Sequence, residues 1–400
     1  MKARFVVKDK IVKADRLQGV AIAGMSSHYD IGIDGGRIVS FTNSQTTDGG
    51  FITPLFADVH VHLDKTFTID RIAKRGSAKV ECLFDAIDLM NIDRESWSAD
   101  DIRTRATGGL TAAYAQGVGA MRTHVDWTMP EIPTAWPILV ELREEWKDRI
   151  DLELAALIHG DIVPDAGAAI AERVAKDNGV LGAFFYRNAD LETKIEDMFR
   201  LAVKHDLKLD FHVDEGLEHE ADGFSLIVAV TKRHNMAGRV LCGHACSLSL
   251  RSPEELERIL TAAADAGTAL VSLPTSNLYL QNRLGGKSPR LRGIAPLKEA
   301  RLAGMDTMLG SDNVRDAFYP YGDYDPLSVL RLAAPVCHLE PDEWLDSITT
   351  LPARFIGSNR VKELSAGGAA NFIWHDATDI NDLISRPQAR RVIWRDGKPV

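Results

Sequence analysis

Eight short apolar runs recur through the middle of this chain, and a stretch with helical periodicity separates each run from the next. Each run has the length and the β-branched or aromatic enrichment of a buried parallel strand. Eight such strand–helix units in series favour an α/β fold of the (β/α)8 TIM-barrel type over a doubly wound sheet. The runs are FITPLFADVHVH, GAMRTHVDW, DLELAALIHGD, LGAFFY, LKLDFHVDE, GRVLCGHA, GTALVSLP and MDTMLGSDN.

Two of the connecting segments carry clear helix boundary signals. Ser98 precedes an acidic first turn, and the helical pattern that follows stops at Gly117, so these residues are the expected N-cap and C-terminal glycine. Ser252 is followed by a proline and two glutamates, which predicts an N-cap, a proline at the first helical position and a capping box. That second helix is expected to end at Gly267.

Both ends of the chain consist of short strand-like segments. Gly35-Gly36, preceded by Asp34, is a strong hairpin signal, and Asp396-Gly397 predicts a further turn near the C-terminus. We therefore expect a small β-sandwich formed from both termini, residues 1–50 and 361–400, as a discontinuous domain. Residues 51–360 would then form the barrel domain.

The charge balance and the cysteine content exclude several classes of protein. The formal net charge is −10 and the basic residues are scattered, so nucleic-acid binding is not expected. No segment is long and apolar enough for a membrane span, and the N-terminus lacks a signal peptide's apolar core. Four irregularly spaced cysteines do not make a disulfide framework, so a cytoplasmic location is expected. A homo-oligomer is left open.

Groups that can bind metal or transfer protons stand where six of the eight predicted strands end. Barrel enzymes build their active sites on this face. Each residue alone has a structural explanation; His212, for example, could be a hydrogen-bonded core histidine and Asp312 a helix N-cap. The same placement on six strands favours a site. The residues are His60, His62, His124, Asp126, His159, His212, Asp214, Glu215, His244, Ser311, Asp312 and Asn313.

His60 and His62 are the strongest indication of a metal site. They are two residues apart on one strand, so both imidazoles lie on the same side and can share one ion. Neutral imidazoles with a carboxylate suit zinc or iron(II). His124 is expected to support its neighbours, because four protein ligands already fill a mononuclear site. Six further histidines, His375 among them, are predicted to be surface residues.

The segments around these residues resemble the amidohydrolase superfamily, and the most similar branch is cytosine deaminase. The resemblance runs in order through nearly the whole chain. Triazine-ring amidohydrolases of the N-isopropylammelide hydrolase type are the nearest neighbours to distinguish, because they share similar DKSFT and SDN segments. The segments that carry the resemblance are HVHLDKTFT, RTHVDWT, DFHVDEG, GHACSLS, LYLQNR followed by PRLRGI, and GSDNVRDAFYPYG.

The resemblance implies a role for each of the central residues. It implies one divalent ion, with the ligands His60, His62, His212 and Asp312. It matches Glu215 to the proton shuttle and His244 to the histidine that polarises the attacking water or the tetrahedral intermediate. Asp312 is also expected to accept the water's proton. The fourth strand ends in Phe184-Phe185-Tyr186-Arg187, without a lysine that could be carboxylated to bridge two metals, which favours a mononuclear site.

The substrate is less constrained than the reaction, because two positions depart from cytosine deaminase. His159 replaces a glutamine that reads the pyrimidine edge, and Asn313 replaces a second aspartate. These two residues, with Phe318, are the expected substrate contacts. We expect hydrolytic deamination of a small amino-substituted heterocycle, such as cytosine, an aminopyrimidine or a pterin.

Two alternatives to deamination remain open. The first is hydrolysis of a cyclic amide or an N-alkylamino triazine on the same metal site. The second is a non-enzymatic binding module that keeps the barrel, which would be expected to lack metal ligands. None of the four ligands is missing from this sequence.

Overall fold

The computed structural model describes residues 4–7, 10–13, 16–74 and 80–400. Within these ranges the chain forms two sheets, one closed into a barrel and one built from the two ends of the chain. The strands are β1 (Arg4–Val7), β2 (Lys10–Lys13), β3 (Arg16–Ile22), β4 (His28–Asp34), β5 (Arg37–Asn43), β6 (Phe51–Pro54), β7 (Phe56–Val61), β8 (Val118–Trp127), β9 (Asp151–His159), β10 (Val180–Phe185), β11 (Leu209–Val213), β12 (Val240–His244), β13 (Thr268–Ser272), β14 (Thr307–Leu309), β15 (Phe372–His375), β16 (Arg391–Arg395) and β17 (Lys398–Pro399).

Helices connect the barrel strands and surround them. In the described ranges every helix is too short or too polar to cross a lipid bilayer. The helices are α1 (Ile69–Lys74), α2 (Leu83–Arg94), α3 (Ala99–Gln116), α4 (Ala135–Trp146), α5 (Val163–Lys176), α6 (Leu191–His205), α7 (Gly223–Arg233), α8 (Pro253–Ala266), α9 (Pro274–Leu280), α10 (Leu297–Leu302), α11 (Pro326–Cys337), α12 (Pro341–Trp344), α13 (Thr350–Ile356) and α14 (Ile380–Ser385).

The barrel consists of β7 to β14, paired in parallel and in chain order. Its first and last strands meet at a parallel bridge between Val61 and Asp312, where the Asp312 amide donates to the His60 carbonyl at 2.8 Å. Every residue of β7, β11, β12, β13 and β14 is buried, as expected for strands covered by side chains inside and helices outside. The predicted (β/α)8 fold is confirmed.

The predicted helix boundaries are also confirmed. The Ser98 hydroxyl accepts from the Asp101 amide at 3.1 Å, and α3 ends at Gly117, whose φ is 96°. A Cβ at Gly117 would lie 2.4 Å from a methyl group of Ile373, so both the left-handed backbone and the close packing require glycine. Ser252 caps α8 in the same way, through the Glu255 amide at 3.3 Å.

The second sheet combines strands from both ends of the chain, as predicted. β6 and β15 pair antiparallel near its centre, and β4 and β5 form the hairpin whose turn is Gly35-Gly36. Trp374 and Trp394 lie in its separate apolar core. The domain boundaries at residues 50 and 361 remain a prediction.

His375 is not at the surface, contrary to the sequence prediction. It lies in β15 with no exposed area, and its Nε2 is 3.0 Å from the Thr53 hydroxyl on β6. Its ring packs near Phe51 and Phe56, with centroids 6.3 and 6.4 Å away. The alternation of β15 turns this imidazole towards the barrel, and the bond to Thr53 satisfies one of its polar atoms.

Candidate active site

Three ring nitrogens and one carboxylate oxygen converge at the carboxyl ends of β7, β11 and β14. The Nε2 atom of His212 lies 3.0 Å from that of His60 and 3.3 Å from that of His62. The Asp312 Oδ1 atom lies 3.2 Å from His62 Nε2 and 3.5 Å from His60 Nε2. Ligands about 2.05 Å from a tetrahedral metal ion are about 3.3 Å from one another. The spacing of these atoms therefore fits a single ion.

The environment favours the protonation states that ligands need. Burial lowers the pKa of His60, of His62 to about 3, and of His212, so all three rings are neutral at physiological pH. Burial alone would raise the pKa of Asp312, but hydrogen bonds from His60 and His62 outweigh it and hold that pKa well below its usual range. Neutral imidazoles and an ionised carboxylate are the forms that bind a divalent ion. The donor set therefore fits the metal predicted from the sequence.

The seam of the barrel positions Asp312. The Asp58 carboxylate accepts from the amides of His60, at 3.2 Å, and Ser311, at 3.1 Å, and so ties the ends of β7 and β14 together. Asp312 itself has a φ of 59° and His244 a φ of 69°. A left-handed backbone is uncommon for residues other than glycine, although Asp and His adopt it more readily than most, and here it fixes the direction in which both side chains leave the chain.

Glu215 and His244 lie beside the cluster of ligand atoms. Both are buried, and Glu215 Oε1 is 3.5 Å from Nδ1 of His244. Burial, with a smaller contribution from the Asp312 charge, raises the pKa of Glu215 to about 8. A carboxyl group with this pKa can both give and take a proton near neutral pH, which is the property of a general acid–base catalyst.

His124 lies beneath the ligands. Its ring centroid is 4.1 Å from that of His60, and its Nε2 is 3.1 Å from Asp210 Oδ1. It belongs to a second group of four buried histidines, with His60, His62 and His212, that could hold an ion. Its Nε2 is oriented by Asp210, which is compatible with the predicted supporting role, and that role remains a prediction.

A cavity of about 530 Å³ opens above the cluster, and its lining includes all three predicted substrate contacts. Asn313 and Phe318 are buried at its inner end, whereas the His159 side chain is 43% exposed at its rim. The Asn313 amide nitrogen donates to Asp316 at 2.7 Å, so its carbonyl oxygen is the group left for a ligand. The structure thus brings all nine predicted site residues to one cavity and the cluster beneath it.

Two polar residues of α9 that the sequence pattern does not predict also contact the site. The Ser276 hydroxyl donates to Oδ2 of Asp312, and the Asn277 amide nitrogen donates to Nδ1 of His244 at 3.0 Å. The seventh strand, β13, carries no charged residue at its end, so its sequence does not indicate a contribution to the site. A signal is present, because Leu273 and Pro274 follow that strand and lead into three short polar residues, Thr275, Ser276 and Asn277.

The chain is similar to several known proteins. Residues 158–400 match the model of the Amidohydrolase family. The chain is 35% identical over its whole length to pterin deaminase from Rhizobium rhizogenes, covering 94% of that protein. It is 23% identical to N-isopropylammelide isopropyl amidohydrolase from Pseudomonas sp., with 89% of each chain covered.

A solved structure shows the same fold. The chain matches 5-methylcytosine deaminase from Klebsiella pneumoniae, bound to 5-fluorocytosine, with a TM-score of 0.84 at 24% identity, covering 96% of this chain and 97% of that one. On the family match and the full-length relative together, the chain belongs to the amidohydrolase family.

Proposed function

We propose that this chain is a hydrolytic deaminase of a small amino-substituted heterocycle, with a pterin as the first substrate to test. One observation carries the proposal: Glu215, with a pKa of about 8, and His244 face the same cavity as the cluster of ligand atoms. The 35% identical pterin deaminase supports it. A cavity of about 530 Å³ is within the usual range for small-molecule sites and has room for a bicyclic ring.

The proposed cofactor is one divalent ion, zinc or iron(II), held by His60, His62, His212 and Asp312. Such an ion would lower the pKa of a bound water to about 7 and so supply hydroxide at neutral pH. β10 ends in Phe185 and is followed by Tyr186 and Arg187, so no lysine there can be carboxylated to bridge two ions. This supports a mononuclear site.

The protein's own residues would handle the protons. When water adds to the ring carbon that bears the amine, Asp312 accepts the water's proton and Glu215 donates one to the adjacent ring nitrogen. His244 donates a hydrogen bond from its Nε2 to the oxygen that has been added to the now tetrahedral ring carbon. Glu215, now ionised, takes the proton of the new hydroxyl group and passes it to the amine. Ammonia leaves, the ring carbon becomes a carbonyl, and the proton held by Asp312 returns to Glu215, which restores both groups for the next turnover.

Ammonia release from a panel of substrates tests the proposal. The panel is pterin, cytosine, 5-methylcytosine and N-isopropylammelide, with ammonia and isopropylamine measured separately. Ammonia from one of the first three substrates, with little or no isopropylamine from the fourth, is the expected result. Isopropylamine alone would instead support the alternative that the 23% identical relative suggests, hydrolysis of an N-alkylamino triazine.

The proposal also covers the binding partners, the cellular location and the oligomeric state of the enzyme. The substrate is a small heterocycle, and neither nucleic acid nor a membrane is part of the proposal. Cys82, Cys242, Cys246 and Cys337 are all free thiols, which supports a cytoplasmic location. A homo-oligomer stays open, and light scattering of the purified protein would determine the assembly.

A further inference from the structure

Lys65 is a buried cation in the wall of the active-site cavity. It lies in the loop after β7, three residues beyond His62, and only 4% of it is exposed. Its Nζ lies 4.7 Å from the centre of the Phe318 ring, on the same cavity wall. Burying an ammonium group costs free energy unless it is paired. A buried ammonium group in the wall of the active-site cavity is therefore a candidate for contact with the substrate.

Asp126 is the only ion-pair partner of Lys65 in the described part of the chain. Nζ lies 2.9 and 3.1 Å from its two carboxylate oxygens, and Arg94 shares the same carboxylate at 2.6 Å. Asp126 is therefore divided between two cations. Burial by itself lowers the pKa of Lys65, but Asp126 and Asp64 outweigh it and leave that pKa above its usual value. The group stays charged.

One donor of Lys65 is left over. An ammonium group has three N–H donors, and Asp126 accepts two of them. No other acceptor lies within hydrogen-bond distance of Nζ among the described residues. Lys65 lines the cavity together with Glu215 and Asp312. A substrate ring held over Glu215 would therefore bring its edge next to this donor.

We propose that Lys65 is a specificity-determining residue that donates to a ring carbonyl oxygen of the substrate, with Asp126 holding it in place. This inference rests on the proposed function. It defines the substrate class as a cyclic acylamidine, a ring in which the amine-bearing carbon, a ring nitrogen and a carbonyl follow one another. Pterin and cytosine both contain this unit.

A cation beside the ring carbonyl oxygen would assist the addition of water. When water adds to the amine-bearing carbon, the electron pair of the C=N bond moves to the ring nitrogen. In an acylamidine that pair is shared with the neighbouring carbonyl oxygen until the nitrogen is protonated. A positive charge at that oxygen stabilises the transition state more than the ground state. A ring without the carbonyl gains nothing from Lys65.

The test compares two ligands that differ only in this oxygen, pterin and 2-aminopteridine, on the metal-loaded protein. Lys65→Met keeps the length of the side chain and removes its donors and charge, while Arg94 still pairs with Asp126. We expect kcat/KM for pterin to fall about 10- to 150-fold, as for loss of a charge-assisted hydrogen bond, and kcat/KM for 2-aminopteridine to change less than about threefold. Lys65→Gln, which keeps an N–H donor, should lie between Lys65→Met and wild type.

The control is Arg103→Met, which removes an ion-paired cation from the exposed face of α3, where it pairs with Glu145. It should leave both ligands unaffected. Binding of the two ligands to the Glu215→Gln protein, with and without Lys65→Met, provides a readout that does not require turnover. Equal losses for both ligands, in rate and in binding, would overturn the role of Lys65 and leave the proposed function standing. If pterin binding depended on Lys65 but the wild-type protein released no ammonia from pterin, the role of Lys65 would stand and the proposed function would be wrong.

Discussion

The side-chain amide nitrogen of Asn277 donates to Nδ1 of His244 across 3.0 Å. An amide nitrogen can only donate, so Nδ1 must accept, and the proton of the neutral ring lies on Nε2. Nε2 has no partner among the described residues, and His244 lines the cavity. Asn277 therefore sets His244 as a hydrogen-bond donor towards the substrate.

Asn277→Asp should lower kcat more than Asn277→Ala does. A carboxylate accepts from Nδ1, which reverses the tautomer and leaves Nε2 as an acceptor. Alanine removes the partner of Nδ1, so either tautomer of the neutral ring can form. We expect kcat to fall about 100-fold or more for Asp, as for loss of an electrostatic donor, and less for Ala. Steady-state kinetics and metal content of both variants check this. Equal losses would mean that Asn277 acts only by packing.

Metal analysis of the purified protein should give about one divalent ion per chain, as four protein ligands and an open water position imply. His212→Asn and Asp312→Asn should each reduce that content strongly. His234→Asn is the matched control, because His234 pairs with Glu196 at the end of α7 and should keep the full content. Two ions per chain would contradict the mononuclear site.

Glu215→Gln should abolish most turnover and leave the metal content unchanged. The amide cannot carry a proton, and one general acid–base step contributes about 100- to 10,000-fold to the rate. Glu145→Gln, an exposed glutamate paired with Arg103, serves as the control and should retain full activity. Near-normal ammonia release by Glu215→Gln would remove this residue from the mechanism.

The raised pKa of Glu215 also predicts how the stability of the metal-free protein depends on pH. Burial, with the Asp312 charge, raises that pKa from 4.5 to about 8. A carboxyl group whose pKa is higher in the folded state stabilises that state at low pH and loses this contribution as pH rises through the window. Relative to Glu215→Gln, the wild type should therefore become less stable between pH 4.5 and pH 8. Urea midpoints of the two metal-free proteins measure this, and a constant difference would contradict it.

The barrel and the cluster of ligand atoms could be predicted from the sequence because each depends on local patterns. Alternation places the side chains of His60, in β7, and His62, directly after it, on the same side, and the position after the last barrel strand brings Asp312 towards them. The contacts of Asn277 and of Lys65 could not be predicted in this way. They depend on where a helix and a loop pack against other strands, and strand periodicity carries no information about that packing.

His375 is a second case in which local sequence patterns carry too little information, and here the prediction itself was wrong. Its burial depends on the pairing of β15 with β6, two strands more than 300 residues apart in the sequence. A histidine near the end of a short terminal strand gives no local sign of that pairing, and the surface prediction was wrong for this reason.

His159 should determine, with Asn313, which heterocycle the enzyme accepts. Its ring stands at the cavity rim, with Nδ1 accepting from the Asp161 amide at 3.4 Å and its centroid 6.3 Å from that of Phe184. The other ring nitrogen is then available to the edge of a substrate. His159→Gln should change the relative kcat/KM values for pterin, cytosine and aminopyrimidines, because a pocket that loses a matched hydrogen-bond partner discriminates differently.

The metal content separates this role from a structural one. His159 is not among the four ligands, and its exposed side chain lies outside their cluster, so His159→Gln should keep about one ion per chain. His234→Gln, at the outer end of α7, should change neither the ranking nor the metal. If the His159 variant lost the metal and kept the substrate ranking, His159 would be a ligand. Selectivity would then have to come from Asn313, whose free carbonyl oxygen is the other polar group at the inner end of the cavity.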